Sequence, residues 1–168
     1  MAAAGAIFAL SAQALPTDQI ADIQIKPVRC KYPRCFVAEK HGDVIATRGD
    51  GKKVTLGHDG MDAQLGPGGL VGWTTGRHVD TSAGMQFSND HLVLYAGGAR
   101  QAEFATEKGI IESWRFVDGA KRVATKSRGL HGAASVELFD IASRRRVAAI
   151  QAFEIKESSP AWVKPFRE

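Results

Sequence analysis

A hairpin signature near the middle of the chain constrains the fold more than any other feature of the sequence. Two short segments, Trp114–Val117 and Lys121–Thr125, are rich in β-branched and aromatic residues and flank the dipeptide Asp118-Gly119. Asp-Gly between such segments indicates a tight β-turn, because both residues reach positive φ at little energetic cost. This stretch therefore predicts two antiparallel strands.

A second hairpin is predicted directly downstream. Ser135–Asp140 and Arg145–Ile150 read as strands around a turn near Ala142-Ser143. The two-residue strand period puts Val136, Leu138 and Asp140 on one face, and Glu137 and Phe139 on the other. A helix competes over 141–150, where Ala and Arg favour it. The short apolar run without an apolar face at helical spacing favours the strand.

Composition extends this prediction to the whole chain. The 168 residues are 44% hydrophobic and 24% charged, which is typical of a soluble globular protein. Eighteen glycines against six prolines favour many tight turns over long helices. A chain of this size folds without help from a metal or cofactor, and none is expected. We predict a single all-β domain over 15–168, with few or no helices.

The first fourteen residues resemble the remnant of a secretory signal. An apolar run from Ala2 to Leu10 precedes the small-x-small site Ala12-Gln13-Ala14, and the chain then becomes polar. A secretory signal usually has a Lys or Arg before its apolar run, and none is present here. Two explanations remain open: the start of the protein is assigned too far downstream, or the segment is a buried apolar terminal strand or helix. The run is too short to span a bilayer. We therefore expect a periplasmic or secreted, non-transmembrane protein whose mature form begins near Leu15.

The two cysteines, Cys30 and Cys35, are predicted to form a disulfide. They lie in Cys-Lys-Tyr-Pro-Arg-Cys, and exported chains meet an oxidising environment. A zinc site needs further ligands at suitable spacing, and none are nearby. A redox motif of the Cys-x-x-Cys type is also missing.

An internal repeat links the two halves of the chain. Leu65–Trp73 aligns without gaps on Phe116–Ala124, and Leu92–Tyr95 aligns on Val136–Phe139. Each unit then contains about four strands in a period of 40 to 50 residues. The units resemble blades of the TolB-type and WD-repeat β-propellers. The resemblance covers one unit at 61–106, one at 110–153 and a half unit at 43–57.

This resemblance implies blade-like antiparallel sheets but not a complete propeller. A closed ring needs at least about four blades, and the chain has room for three at most. A partial propeller, an open stack of sheets or a small sandwich remain as alternatives. Exposed edges would then need cover from the termini or a partner, so an oligomer formed through sheet edges is possible. The tail Ser158–Phe166, with Trp162 and Phe166 docking, resembles such a cover.

The repeat also predicts a binding rim. In each unit the long connection falls between the second and third strands, at 74–91 and 126–134, so both connections should emerge on one side. They carry Arg77, His78, Asp80, Arg128 and His131, which are our candidate ligand-binding residues for an anionic ligand. The alternative is that turn hydrogen bonds alone hold these side chains.

The charge of the chain points the same way. The formal net charge is +4, and residues 115–146 hold eight Lys and Arg against three acids. A cationic face attracts polyanions, which for an exported protein are envelope polymers or acidic proteins and not nucleic acid.

No set of residues qualifies as a catalytic or metal-binding constellation from the sequence. Four of the five histidines (41, 58, 78 and 91) have an aspartate as a near neighbour, but no His-x-His or His-x-x-x-His pair is present. We therefore predict an exported module that binds a protein or an anionic envelope component. The alternative is a small periplasmic hydrolase using His and Asp residues, with or without a metal.

Overall fold

The computed structural model of the chain describes residues 19–27, 41–81, 84–107, 109–129 and 131–167, with the backbone alone for 78–81 and 84–87. Within these ranges it holds ten antiparallel strands, short 3-10 turns and no α-helix, which confirms the all-β fold class. The strands are β1 Ile20–Pro27, β2 Gly42–Arg48, β3 Lys53–Leu65, β4 Val71–Thr81, β5 Gly84–Ala96, β6 Ala99–Ala105, β7 Ile110–Val117, β8 Arg122–Arg128, β9 Ser135–Asp140 and β10 Arg145–Gln151.

The strands form two meandering sheets. β1 to β6 make a six-stranded sheet in chain order, and β7 to β10 make a four-stranded sheet, also with sequential neighbours paired. The unit at 110–153 spans the four-stranded sheet, whereas the unit at 61–106 and the half unit at 43–57 belong to one continuous six-stranded sheet. No closed ring of blades is present among the described residues. The propeller resemblance is supported only as far as antiparallel blade-like sheets.

The aligned turns of the repeat have the same local structure. Both Pro67–Gly69 and Asp118–Ala120 form a 3-10 turn between two paired strands. Gly68 (φ 68°) and Gly119 (φ 63°), which occupy matching positions in the alignment, both adopt the left-handed conformation that glycine tolerates at least cost.

The two sheets pack face to face through a central core. Leu92, Leu94 and Phe104 of the six-stranded sheet meet Ile111, Trp114, Val123 and Phe139 of the four-stranded sheet. Gly72 allows the close approach, because a Cβ there would lie 2.4 Å from the Trp114 ring. The Trp114 indole N–H also donates to the Asp62 carbonyl at 2.8 Å, which ties the sheets together.

Each sheet also buries its other face. Val93 lies between Leu92 and Leu94 on β5 and points to a second cluster with Val44, Val71 and Trp73 on the far side of the six-stranded sheet. On the four-stranded sheet, the face with Val136 and Leu138 is covered by Ile155, Val163 and Phe166 of the C-terminal tail. The expected cover by the tail is therefore present, but it protects a face of the sheet and not an edge.

One prediction about local structure needs correction. Residues 74–91, expected as a long connection, are mostly strand: β4 and β5 pair out to Thr81 and Gly84, with one bulge between Thr75 and Arg77. Glu137 and Phe139, on the face opposite Val136 and Leu138, are also buried, because the six-stranded sheet covers that face. The competing helix over 141–150 does not form, and β10 pairs with β9.

None of the described helical segments is long and apolar enough to cross a membrane. Both the signal segment at 1–14 and the pair Cys30 and Cys35 lie outside the described residues, so their predictions stay untested.

Candidate functional sites at the two ends of the six-stranded sheet

A β-bulge on β5 shapes one end of the six-stranded sheet. Thr75 pairs with His91 and Arg77 pairs with Ser88, so Asn89 and Asp90 together stand opposite the single residue Gly76. A Cβ on Gly76 would lie 1.6 Å from the Ser88 carbonyl oxygen. Only glycine therefore permits this bulge.

The bulge brings two neighbouring side chains together. Consecutive residues of a regular strand point to opposite faces, but the extra residue lets the Asp90 carboxylate contact the His91 ring, with Oδ1 2.6 Å from Nδ1. Asn89 is buried and its side-chain amide donates to the Ile111 carbonyl of the four-stranded sheet at 2.8 Å. The Asp90 carbonyl accepts from the Thr106 backbone N–H at 3.1 Å. The bulge is thus held from the four-stranded sheet and from the residue that follows β6.

A cleft of about 350 Å³ opens beside this pair and is called the His91 cleft here; its lining is Thr75, Gly76, Arg77, Asp90, His91 and Glu103. His91 and Asp90 are half-buried. Glu103 accepts a 2.6 Å hydrogen bond from Arg100. Arg77 is exposed and makes no ion pair with any described residue. The cleft therefore combines an oriented imidazole with a guanidinium that no described carboxylate neutralises.

A second cleft, of about 250 Å³, lies at the opposite end of the same sheet and is called the Arg48 cleft here. Arg48, the last residue of β2, and Tyr95, near the end of β5, lie on its lining together with the apolar side chains Ile20, Val54 and Leu56. Two glycine turns, Gly68–Gly69 and Gly97–Gly98, complete it. All four of these glycines have positive φ.

The electrostatics of the Arg48 cleft favour an anion. The Arg48 guanidinium makes no ion pair with any described residue, although its backbone is bonded to Gly51 and Lys52 in the turn after β2. The nearby carboxylate, Asp50, accepts a hydrogen bond from the Lys52 backbone N–H at 3.0 Å, which is the main reason that the pKa of Asp50 lies below its usual value; the Arg48 charge contributes a smaller attraction. Tyr95 stacks obliquely on buried Trp73, with 6.5 Å between ring centroids, and this contact holds its ring at the cleft wall.

The structure places the predicted rim residues at one end of the two sheets but does not join them into one site. Arg77 lines the His91 cleft, while the backbones of His78 and Asp80 continue β4 towards the hairpin tip. Arg128 ends β8, and its Nε lies 2.7 Å from Glu112 Oε1, so its charge is paired. His131 is exposed in the loop that follows. Ligand binding by this set remains a prediction.

Two of the histidines contact an aspartate from the other strand and not the aspartate next to them in sequence. His58 contacts Asp43 at 2.6 Å, and buried His41 lies 3.9 Å from Asp59, so each imidazole uses the aspartate of the other strand. Within the described ranges, no three His, Cys, Asp or Glu side chains are close enough to hold a metal ion.

Sequence reasoning missed both the bulge and a buried ion pair. Glu137 is 1% exposed, and its Oε1 accepts a 2.7 Å hydrogen bond from Arg146. Arg146 also donates to Glu107, whose backbone N–H donates to Glu137 Oε2 at 3.2 Å. The available signal was the acid at position 137 inside an apolar strand, because a buried carboxylate requires a partner.

No protein-family model matches the chain, and no curated protein matches it in sequence.

Proposed function

We propose that the protein is an exported binding module that takes a small amphipathic anion in the Arg48 cleft. The observation that carries this proposal is a guanidinium without a described ion-pair partner beside apolar walls, in a concave site at the end of the six-stranded sheet. Ligand sites typically combine a mostly apolar lining with a few polar groups that fix orientation.

The chemistry of the lining defines the ligand class. Arg48 suits a carboxylate, sulfate or phosphate, because its planar guanidinium can donate two parallel hydrogen bonds. Val54, Leu56 and Tyr95 suit an apolar body next to that group. The backbone amides of Gly97 and Gly98 take part in none of the turn hydrogen bonds described, so they are available as further donors. An anionic envelope glycolipid or an acidic peptide with an apolar side chain meets these requirements.

The excess of basic residues supports the same class of ligand. A net charge of +4 raises the local concentration of anions around the protein and speeds their association, an effect that salt screens. This long-range attraction supplies little specificity by itself. The position of Arg48 within the cleft must supply it.

The test uses anilinonaphthalene sulfonate, a fluorescent anion with an apolar body, titrated into the full chain. Arg48→Gln should weaken binding about 10-fold or more, since a hydrogen bond to a charged group contributes roughly 1.5–3 kcal/mol. The matched control is Arg145→Gln, which removes the same charge from an exposed strand far along the chain and should leave affinity nearly unchanged.

Two results would contradict the proposal. One is equal binding by wild type and Arg48→Gln. The other is binding that appears only when near-ultraviolet circular dichroism is lost, because this dye also binds partly unfolded states. Export is tested separately by N-terminal sequencing of protein recovered from the periplasm, which should begin near Leu15.

A further inference from the structure

We infer that His91 and Asp90 form an acid–base pair that hydrolyses a small ester carrying an anionic group in the His91 cleft. This activity does not depend on the Arg48 cleft, which lies at the other end of the sheet. It rests on the bulge geometry, on the cleft beside the pair and on the charge of Arg77.

Among the histidines whose side chains the structure describes, His91 alone has a carboxylate partner and lines one of the two described clefts. His58 has an equally short contact with Asp43, but it is exposed and lines neither described cleft. His41 is buried. His131 is exposed on a loop. The comparison with His58 is useful, because it separates the effect of the cleft from the effect of a His–Asp contact alone.

Asp90 gives the imidazole a defined orientation and tautomer. When Nδ1–H donates to the carboxylate, Nε2 carries the lone pair and can accept a proton. Asp90 does not itself react; it acts as a positioning residue, as do Gly76 and Asn89, which create and hold the bulge. His91 is the catalytic residue, because its Nε2 is the group that would meet the attacking water.

The reaction requires only water as the second reactant. His91 Nε2 takes a proton from a water molecule while the water oxygen forms a bond to the ester carbonyl carbon. The bond from that carbon to the alcohol oxygen then breaks, and His91 returns the proton to the departing alkoxide. The products are one carboxylic acid and one alcohol, and His91 is regenerated.

Arg77 defines the substrate class. Arg77 lines the cleft and its guanidinium makes no ion pair with a described residue, so it can hold an anionic group of the substrate. Glu103 on the same lining is already bonded to Arg100. An ester with a free carboxylate a few bonds from its carbonyl group therefore fits better than a neutral or cationic ester.

The experiment follows release of para-nitrophenolate by the full chain from two esters, para-nitrophenyl acetate, which is neutral, and mono-para-nitrophenyl succinate, which carries a carboxylate. His91→Gln should lower kcat/KM by about 100-fold or more, the range typical of general acid–base catalysis. Asp90→Asn should lower kcat with little change in KM. Arg77→Gln should raise KM for the succinate ester only.

His58→Gln is the matched control and should retain the wild-type rate with both esters. The inference is overturned if wild type is no faster than an equal concentration of free imidazole, or if His58→Gln and His91→Gln lose activity equally. It is also overturned if Asp90→Asn retains the wild-type kcat. Cooperative urea unfolding of each variant establishes that a lost rate is not a lost fold.

Discussion

Replacing Arg146 by methionine should strongly destabilise the protein, although Arg146 lies on the exposed edge strand β10. Its side chain is 44% exposed, whereas the Glu137 side chain that it contacts is 1% exposed. The methionine side chain would replace the apolar part of the arginine but would donate no hydrogen bond. Glu137 would then retain a single bond, from the Glu107 backbone N–H at 3.2 Å.

The expected loss is about 2–3 kcal/mol. Removing one partner of a fully buried ion pair costs about 3–5 kcal/mol, because the remaining charge stays buried without compensation. The solvent exposure of Arg146 lowers that figure, since water reaches part of the site. For a domain of this size, 1 kcal/mol corresponds to roughly 2–4 °C, so Tm should fall by about 4–12 °C.

Arg146 stays charged throughout the neutral pH range. Hydrogen bonds from Arg146 to Glu137 and then Glu107 raise the pKa of Arg146 above its usual value. A raised pKa contributes stability that is present below the unfolded-state pKa and disappears only as pH rises through the folded-state pKa. Both values are strongly alkaline, so titration of Arg146 itself adds no pH dependence to the difference between wild type and Arg146→Met from about pH 6 to 9.

A double-mutant cycle by urea unfolding tests the cause. Glu137→Gln combined with Arg146→Met should be more stable than Arg146→Met alone, because no buried charge remains. Arg145→Met, on the neighbouring position of the same strand, is the control and should lie within about 0.5 kcal/mol of wild type. Additive losses in the cycle, or equal losses at 145 and 146, would refute the ion-pair explanation.

Three further changes test the packing and the turns, each by urea unfolding. Phe166→Ala should lower the free energy of unfolding by about 3–5 kcal/mol, because Phe166 is buried in the C-terminal tail against the four-stranded sheet and lies under the Arg115 guanidinium. A loss below about 1 kcal/mol would show that the tail contributes little to stability. Arg144→Gly should stabilise by about 1 kcal/mol, because Arg144 has a φ of 55° that glycine adopts without strain; a loss would refute this. Asp140→Asn should destabilise at pH 7, and the loss should shrink as the solution becomes strongly acidic. Hydrogen bonds from the Ser143 N–H and then its hydroxyl lower the pKa of Asp140, so the carboxylate contributes stability above its unfolded-state pKa and loses it as pH falls through the lower folded value. A loss that persists in acid would point to packing instead.

Turn chemistry explains why the four-stranded sheet could be predicted from the sequence. The Asp118-Gly119 signal marks a 3-10 turn between β7 and β8, and the polar turn after Asp140 joins β9 to β10. Such turns are determined by residues adjacent in the chain, and these residues were visible in the sequence.

The β4–β5 hairpin escaped prediction because its outer part extends beyond the apolar core. Residues 75–91 are mainly polar and small, and this composition is typical of a loop. Strand preference depends on neighbours as much as on residue type, and here backbone pairing with β5 stabilises a segment with little strand propensity. The bulge opposite Gly76 was hidden for the same reason, since it depends on the register between two strands.

The buried ion pair depended on contacts between distant parts of the chain. Alternation along β9 correctly separates Glu137 from Val136, but it cannot show that a second sheet will cover the Glu137 face. The link between Glu107 and Glu137 spans 30 positions. Only the packing of the two sheets creates the need for Arg146 as a partner.

The edge strand β10 combines two features that oppose addition of another strand. Val147 forms a bulge, because Arg146 pairs with Phe139 and Ala148 with Leu138, and this irregularity interrupts the hydrogen-bonding edge. Arg144 and Arg145 add exposed positive charge beside it, so parallel in-register pairing of two copies would bring four arginines together. Both features disfavour the pairing of β10 with β10 of a second copy. We therefore expect that any oligomer forms through a different edge.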